Sequence, residues 1–241
     1  MGIGDRCLMT KRVGVRLSPC AVISRKRKAD IPQPSFPSPA VSFLSKEVFV
    51  MSTPTIAILA LQGAFIEHER MLTKLGASCF EIRNRKDLER PMDGLVLPGG
   101  ESTVQGKLLK DEGLFAPLQD KIRAGLPVLA TCAGMILLAE HLENDANTWF
   151  ATLPVTVRRN AYGRQLGSFI TTAPVKGVGD VKMNFIRAPY IASASPDVDI
   201  LSTVDDHIVA VRYGKQLALS FHPEVGHDDR MHRLFIDMIG D

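Results

Sequence analysis

The chain has 241 residues, 45% of them hydrophobic, and a formal net charge of +3. Residues 1–50 carry nine Lys and Arg against three Asp and Glu, so the remainder is slightly acidic, with twenty basic and twenty-three acidic side chains. A slightly acidic folded region argues against nucleic-acid binding, and no apolar run reaches the roughly 20 residues that span a bilayer.

The first 52 residues show no sustained helical or strand period. A basic cluster, Arg25–Lys28, is followed by four prolines, a composition that predicts a disordered leader. Three interpretations stay open: an organellar transit peptide rich in Arg and Ser, a nuclear signal, or residues upstream of a true start at Met51. The folded domain is expected to span residues 53–241.

From Thr55 onward, strand and helix patterns alternate. The continuous apolar run Ile56–Leu61 predicts a strand buried on both faces, and residues 64–75 predict a helix that Gly76 ends. Further strands are predicted at 78–83, 94–97 and 127–130, with helices at 102–111 and 114–124. This alternation indicates an α/β domain with a parallel sheet and helices on both faces.

After about Thr152 the pattern changes to shorter β-rich segments. These segments either extend the same sheet or form a small flanking sheet, and a closing helix is predicted at 228–239. The predicted strands are 155–157, 168–170, 184–186, 208–211 and 217–221.

The strongest chemical signal is an apolar strand that runs into Cys132 and is followed directly by a helical segment. A strand-turn-helix elbow needs small residues two positions before and after a nucleophile, and Ala130 and Gly134 meet that need. A helix N-terminus also favours a thiolate. Cys132 is therefore a candidate nucleophile, although a buried cysteine that acts as a small apolar residue fits the same segment.

A thiolate nucleophile needs a base oriented by a carboxylate. His222 and Glu224 follow an apolar strand and are separated by one proline, which stiffens the turn. They are the candidate base and orienting acid, although a solvated loop pair has the same pattern.

Attack on an amide creates an oxyanion, which backbone N–H groups can stabilise. The turn from Pro98 to Thr103 contains Gly99 and Gly100, which let a peptide N–H face a ligand. Ala133, next to the candidate nucleophile, would supply the second donor. An ordinary strand-to-helix turn with a Ser or Thr cap is the alternative.

Six short motifs together resemble the class I, triad-type glutamine amidotransferases, and more closely the glutaminase subunits of pyridoxal 5'-phosphate synthase. They cover the chain from residue 55 to the C-terminus, and several are much narrower than the shared thiol elbow and His-Pro-Glu. The motifs are Leu59–Gly63, Leu97–Thr103, Thr131–Gly134, Arg159–Gln165, Phe185–Pro189 and Ser220–Glu224.

The resemblance implies a flavodoxin-like three-layer sandwich with a mostly parallel central sheet and a small additional β-element in the C-terminal half. It implies a triad of Cys132, His222 and Glu224, and Gln62 near the oxyanion turn, where it helps set the active arrangement at the contact with a synthase. The implied oxyanion hole consists of Gly99, Gly100 and Ala133. The implied glutamine-binding residues are Gly100, Glu101, Ser102, Arg159, Ile186 and Arg187.

The implied activity is hydrolysis of L-glutamine to glutamate and ammonia, without a cofactor. The ammonia would pass within a large hetero-oligomer to a synthase subunit that builds pyridoxal 5'-phosphate from ribose 5-phosphate and glyceraldehyde 3-phosphate. A glutaminase that feeds a different synthase, and a non-catalytic regulatory homologue, stay open as alternatives. Four cysteines without paired spacing predict neither a disulfide framework nor a zinc site and favour the cytoplasm.

Two segments depart from the family pattern. Ala130 stands where many relatives have glycine, and residues 143–153 do not match the usual connection, so no catalytic residue is assigned to that stretch. The other histidines have no metal-ligand spacing and are interpreted as surface or satisfied core residues; they are His68, His141, His207, His227 and His232.

Overall fold

The computed structural model describes residues 53–143, 145–159 and 168–240. The expected leader, and the motif Arg159–Gln165 beyond its first residue, lie outside the described residues.

The first half alternates strand and helix as the sequence predicts. The helices predicted at 64–75 and 114–124 are each one residue shorter at both ends, and the helix predicted at 102–111 agrees at both ends. Gly76 and Gly125, with positive φ angles of 91° and 93°, follow the C-terminal ends of the two shorter helices. The elements are β1 (Thr55–Leu59), α1 (Phe65–Lys74), β2 (Ser78–Ile82), a 3-10 helix (Arg85–Glu89), β3 (Gly94–Leu97), α2 (Ser102–Asp111), α3 (Phe115–Arg123), β4 (Val128–Thr131) and α4 (Ala133–Leu138).

The second half is mostly β-structure, and it both extends the main sheet and forms a separate hairpin. The elements are β5 (Ala139–Leu142), β6 (Leu153–Arg158), β7 (Ser168–Val175), β8 (Gly179–Ile186), β9 (Tyr190–Ala194), β10 (Asp199–Val204), β11 (His207–Tyr213), β12 (Gln216–Leu219) and α5 (Arg230–Gly240).

The main sheet has ten strands in the order β2-β1-β3-β4-β12-β11-β9-β6-β5, with β10 paired to β11. Strands β2, β1, β3, β4 and β12 are parallel to one another, and the pairings of β11 with β12, β9 and β10 are antiparallel. Strands β7 and β8 form their own antiparallel sheet. The predicted α/β class, mostly parallel sheet and additional β-element are thus confirmed.

Alternate residues of the central strands enter two separate cores. In β1, Ala57 and Leu59 face the core beneath α2, α3 and α4, whereas Ile56 and Ile58 face the core beneath α1, α5 and the β7–β8 hairpin. This two-sided burial explains why β1 is continuously apolar. In an open parallel sheet of this kind, ligands bind beyond the carboxyl ends of the strands, and the loops after β1, β3, β4 and β12 meet there.

Candidate active site

Strand β4 ends at Thr131, and α4 begins at Ala133, so Cys132 lies in the turn between them. Its φ of 47° and ψ of −101° place a non-glycine residue in a sparsely populated region, as a nucleophile elbow requires. A Cβ at Gly134 would lie 2.0 Å from the carbonyl oxygen of Leu97, so only glycine fits there. Ala130 is fully buried within β4, which shows that alanine is accommodated before the elbow.

His222 and Glu224 lie beside this elbow because β12 runs parallel to β4, with Leu219 opposite Thr131. The His222 Nδ1 and Glu224 Oε1 atoms are 2.7 Å apart, and both side chains are buried. The β7–β8 hairpin holds the backbone of His222, whose N–H donates to the Asn184 carbonyl at 2.8 Å.

The surroundings of His222 favour its charged form. Burial would lower the pKa of His222, but hydrogen bonds to Cys132 and Glu224, with the charges of both, raise it to about 10. Burial likewise would raise the pKa of Glu224, but His68 and His222 hold it below its usual range. The pKa of His222 therefore reflects both Cys132 and Glu224, and the imidazole lines the same cavity as the Cys132 side chain.

The expected oxyanion turn lies against the same imidazole. A Cβ at Gly99 would lie 2.3 Å from His222 Cε1, and a Cβ at Gly100 would lie 2.4 Å from Gln62 Oε1. Both glycines are thus required by close approach. Ala133 begins α4 directly after Cys132 and is 1% exposed.

Gln62 connects the loop after β1 to this turn. Its Oε1 accepts the backbone N–H of Glu101 at 2.8 Å, and Gly99 O accepts the backbone N–H of Ala64 at 3.0 Å. The buried Gln105 donates from Nε2 to the carbonyl oxygens of Gln62 and Pro98, at 2.8 and 3.1 Å. The turn is therefore held by side-chain and backbone hydrogen bonds from two directions.

A cavity of about 320 Å³ opens beside Cys132. The sequence-predicted substrate residues all line it, including Ile186, which ends β8 of the hairpin, and Arg187, which follows it. The lining comprises Gln62, Gly100, Glu101, Ser102, Cys132, Ile136, Arg159, Ile186, Arg187, Pro189 and His222.

Glu101 and Arg159 make an ion pair at the cavity wall, with Arg159 Nη2 3.2 Å from Glu101 Oε1. The Glu101 carboxylate also accepts the N–H groups of Thr103 and Val104, which caps α2. Arg159 Nη1 contacts Asp145 Oδ2 at 3.1 Å. Hydrogen bonds from Asn147, and then Arg159, lower the pKa of Asp145. Sequence analysis assigned no role to Asp145, because a contact with a distant arginine leaves no local pattern.

Two histidines that sequence analysis interpreted as surface or core residues lie behind the triad. His68 and His232 are both fully buried. His68 Nε2 is 3.4 Å from Glu224 Oε2 and 3.2 Å from Thr131 Oγ1, and His68 Nδ1 is 2.9 Å from His232 Nε2. The helical spacing of Phe65, His68 and Leu72 places His68 on the inner face of α1, but it does not specify its partners.

Residues 53–143, 145–159 and 168–240 contain no cluster of three or more His, Cys, Asp or Glu able to hold a metal ion. Over the same ranges, no helix has the length and apolar character needed to cross a membrane.

Several known proteins resemble this chain in sequence or in fold. The family model of the SNO glutamine amidotransferase family matches residues 58–241. A pyridoxal 5'-phosphate synthase subunit PdxT of Desulfitobacterium hafniense is 60% identical over 184 residues, which are 76% of this chain and 92% of that protein. The PdxT subunit of Methanocorpusculum labreanum is 55% identical over 76% of this chain and 97% of its own.

A solved structure described as a glutamine amidotransferase superposes with a TM-score of 0.73 at 39% identity, over 77% of this chain and 99% of that one. A second structure, described as a GMP synthase subunit of Thermoplasma acidophilum, has a TM-score of 0.58 at 20% identity, over 78% of this chain and 94% of its own, and supports the fold alone. The chain belongs to the SNO glutamine amidotransferase family.

Proposed function

We propose that this chain hydrolyses L-glutamine to L-glutamate and ammonia as the glutaminase subunit of pyridoxal 5'-phosphate synthase. The observation that carries the proposal is the position of Cys132, at a strained elbow, and of the buried His222–Glu224 pair beside one polar cavity. The PdxT names of relatives at 55–60% identity support the choice of pathway.

In the proposed reaction, the Cys132 thiolate attacks the side-chain amide carbon of glutamine. The carbonyl oxygen takes the negative charge. It accepts one hydrogen bond from the backbone N–H of Gly100, in the oxyanion turn next to Gly99, and another from the N–H of Ala133. When the tetrahedral intermediate collapses, the C–N bond breaks, His222 protonates the departing ammonia, and a γ-glutamyl thioester remains.

The second half of the reaction regenerates the thiolate. His222, now neutral, takes a proton from water, and the resulting hydroxide attacks the thioester carbon. Collapse of this second intermediate breaks the C–S bond and releases glutamate. Glu224 accepts the Nδ1–H of His222 throughout, which keeps Nε2 directed at the sulfur and the water.

The cavity wall suits the charged end of an amino acid. Glu101 would face the substrate ammonium, and Arg159 and Arg187 would donate to its carboxylate. Ser102 and Ile186 complete the contact. Glu101 and Arg159 form an ion pair with one another in the cavity wall. Each side chain is therefore held in position by the other before glutamine binds.

The ammonia would pass to a synthase subunit that combines it with ribose 5-phosphate and glyceraldehyde 3-phosphate, in a large cytoplasmic hetero-oligomer. Gln62 links this step to catalysis, because its hydrogen bond to the Glu101 N–H reaches the oxyanion turn. A synthase that binds near the loop after β1 would therefore shift the turn toward its working arrangement.

The proposal is tested by measuring glutamine-dependent ammonia release from the complex with synthase. Replacing Cys132→Ala is expected to abolish turnover while leaving complex assembly intact, whereas Cys79→Ala, a half-buried cysteine in β2, should retain it. Without the synthase we expect at least tenfold slower turnover, about 1.4 kcal/mol. Ammonia release that survives Cys132→Ala would refute the proposed nucleophile.

A further inference from the structure

A chain of buried polar side chains continues from the triad into the interior of the protein. His68 of α1 lies between Glu224 and His232 of α5, and its two ring nitrogens face different partners. Nδ1 is 2.9 Å from His232 Nε2, and Nε2 is 3.4 Å from Glu224 Oε2. Burying the three polar side chains of His68, His232 and Glu224 lowers the stability of the fold unless their polar atoms have partners. Their arrangement therefore requires an explanation.

The ring nitrogens that face each other define the proton positions. A neutral His68 has one N–H and one lone pair. If Nδ1 carried the proton, the Nε2 lone pair would point at the Glu224 carboxylate, and the two would repel. The favourable arrangement has His232 Nε2–H donating to His68 Nδ1, and His68 Nε2–H directed at Glu224 Oε2.

The remaining atoms agree with this arrangement. It leaves His232 Nδ1 as an acceptor, and that atom has no hydrogen-bond partner among the described residues; a buried lone pair without a partner costs less than a buried N–H without one. Glu224 Oε2 has no hydrogen-bond partner among the described residues, and the shorter contact of His68 Nε2 is with Thr131 Oγ1 at 3.2 Å. At 3.4 Å the interaction of Glu224 Oε2 with His68 is mainly electrostatic, and a small approach would make it a hydrogen bond.

We propose that His68 and His232 are positioning residues that extend the triad: His232 fixes the tautomer of His68, and His68 directs its N–H at the second carboxylate oxygen of Glu224. Since His222 holds the first oxygen at 2.7 Å, the carboxylate lies between two imidazoles, and both restrict its rotation. This inference rests on the proposed function, and it adds two residues that the triad does not contain.

His68 and His232 orient the Glu224 carboxylate as neutral side chains and not as charged ones. Burial lowers the pKa of His68, with Glu224 and Glu67 opposing and His222 reinforcing that effect. Burial also lowers the pKa of His232 to about 3, with His68 reinforcing and Glu224 and Asp229 opposing. Both rings are therefore neutral at physiological pH, and each can serve as a donor with a fixed proton position.

His68 also contacts the residue before the nucleophile. Thr131 Oγ1 is 3.2 Å from His68 Nε2, and Thr131 ends the strand that leads into Cys132. One imidazole thus lies within reach of both the carboxylate of the triad and the strand that presents the sulfur.

The test uses the complex with synthase and compares His68→Leu with His68→Gln. Leucine fills the space without a donor, whereas the glutamine amide can present an N–H near the position of Nε2. For His68→Leu we expect kcat to fall about 10- to 100-fold with KM within threefold. We also expect the acid limb of kcat to move to higher pH, because a carboxylate without its donor binds a proton more readily.

His68→Gln is expected to recover kcat to within about fivefold and to restore the acid limb. Met238→Ala, a buried substitution nearly two turns beyond His232 in α5, controls for lost packing: it should lower Tm while leaving kcat and the pH profile unchanged. Equal losses in the leucine and glutamine variants with an unmoved acid limb would overturn the proposal.

His232→Leu provides a second test if His68→Leu does not fold. It keeps the His68 ring but removes the donor that fixes its tautomer, so the acid limb should shift in the same direction by a smaller amount. An unshifted limb in a folded His232→Leu complex would also overturn the proposal. Failure of the glutaminase assignment is distinguished by the unsubstituted complex, which would then release no ammonia from glutamine.

Discussion

The contact between Gly99 and His222 provides a sharp test of the proposed catalytic geometry. Substitution Gly99→Ala adds one methyl group, whose carbon would lie 2.3 Å from His222 Cε1 and 2.9 Å from Nδ1. Carbon atoms pack at about 3.5–4.0 Å, so the imidazole or the turn has to move by about 1 Å. The turn is restrained because Gly99 O accepts the Ala64 N–H, and most of the movement falls on the imidazole.

A displacement of about 1 Å at a catalytic group costs about 100-fold in rate, which corresponds to about 2.7 kcal/mol in the activation free energy. We therefore expect Gly99→Ala to lower kcat for glutamine hydrolysis in the complex about 100-fold. KM should change little, because the substituted carbon faces the imidazole and not the substrate-binding wall. The assay is glutamate formation at saturating glutamine and saturating synthase.

Gly106→Ala is the matched control, since its added carbon would lie 2.3 Å from Trp149 Cε3, an equally severe contact at a ring without a catalytic role. This variant should lose stability and keep kcat per folded molecule within about threefold. If Gly99→Ala also stays within threefold of the unsubstituted enzyme, His222 does not occupy this position during catalysis, and the proposed geometry is wrong.

Two further predictions concern pH and substrate binding. The pKa of His232 is about 3 in the folded chain against an ordinary 6.5, so the unfolded chain binds more protons and stability is lost as pH falls below 6.5 toward 3. Thermal unfolding at pH 7 and pH 5 should show a smaller drop in Tm for a folded His232→Leu variant, and equal drops would contradict this. Asp145→Asn weakens the support of Arg159, so we expect KM for glutamine to rise about three- to tenfold with kcat nearly unchanged; an unchanged KM would exclude that role.

The sequence predicts the parts of the site that are encoded locally. The glycines at 99 and 100, the small residues around Cys132, and the His-x-Glu spacing each reflect a steric or chemical need within a few residues. The order of strand and helix then places their loops at one sheet edge. Each of the six motifs contributes at least one described residue to the lining of one cavity.

The missed features depend on packing between distant segments. All six residues of α4 are buried, so the apolar segment after Cys132 has no amphipathic period, and sequence alone does not indicate that the helix ends at Leu138 and β5 begins. His68 and His232 are 164 positions apart. Their contact depends on α1 and α5 lying on the same face of the sheet, which no spacing rule encodes.

Helix α1 contacts both the oxyanion turn and the Glu224 carboxylate of the proposed triad. Just before its first residue, the Ala64 N–H donates to Gly99 O, and Gln62 accepts the N–H of Glu101, so this end supports the oxyanion turn. One turn into the helix, His68 faces Glu224. A helix is stiff over so short a length, and α1 is packed against the core through the fully buried Leu72. A displacement of its N-terminal turn therefore changes the oxyanion turn and the carboxylate together, which provides a physical route by which one binding event near the loop after β1 could act on both the nucleophilic attack and the proton transfer.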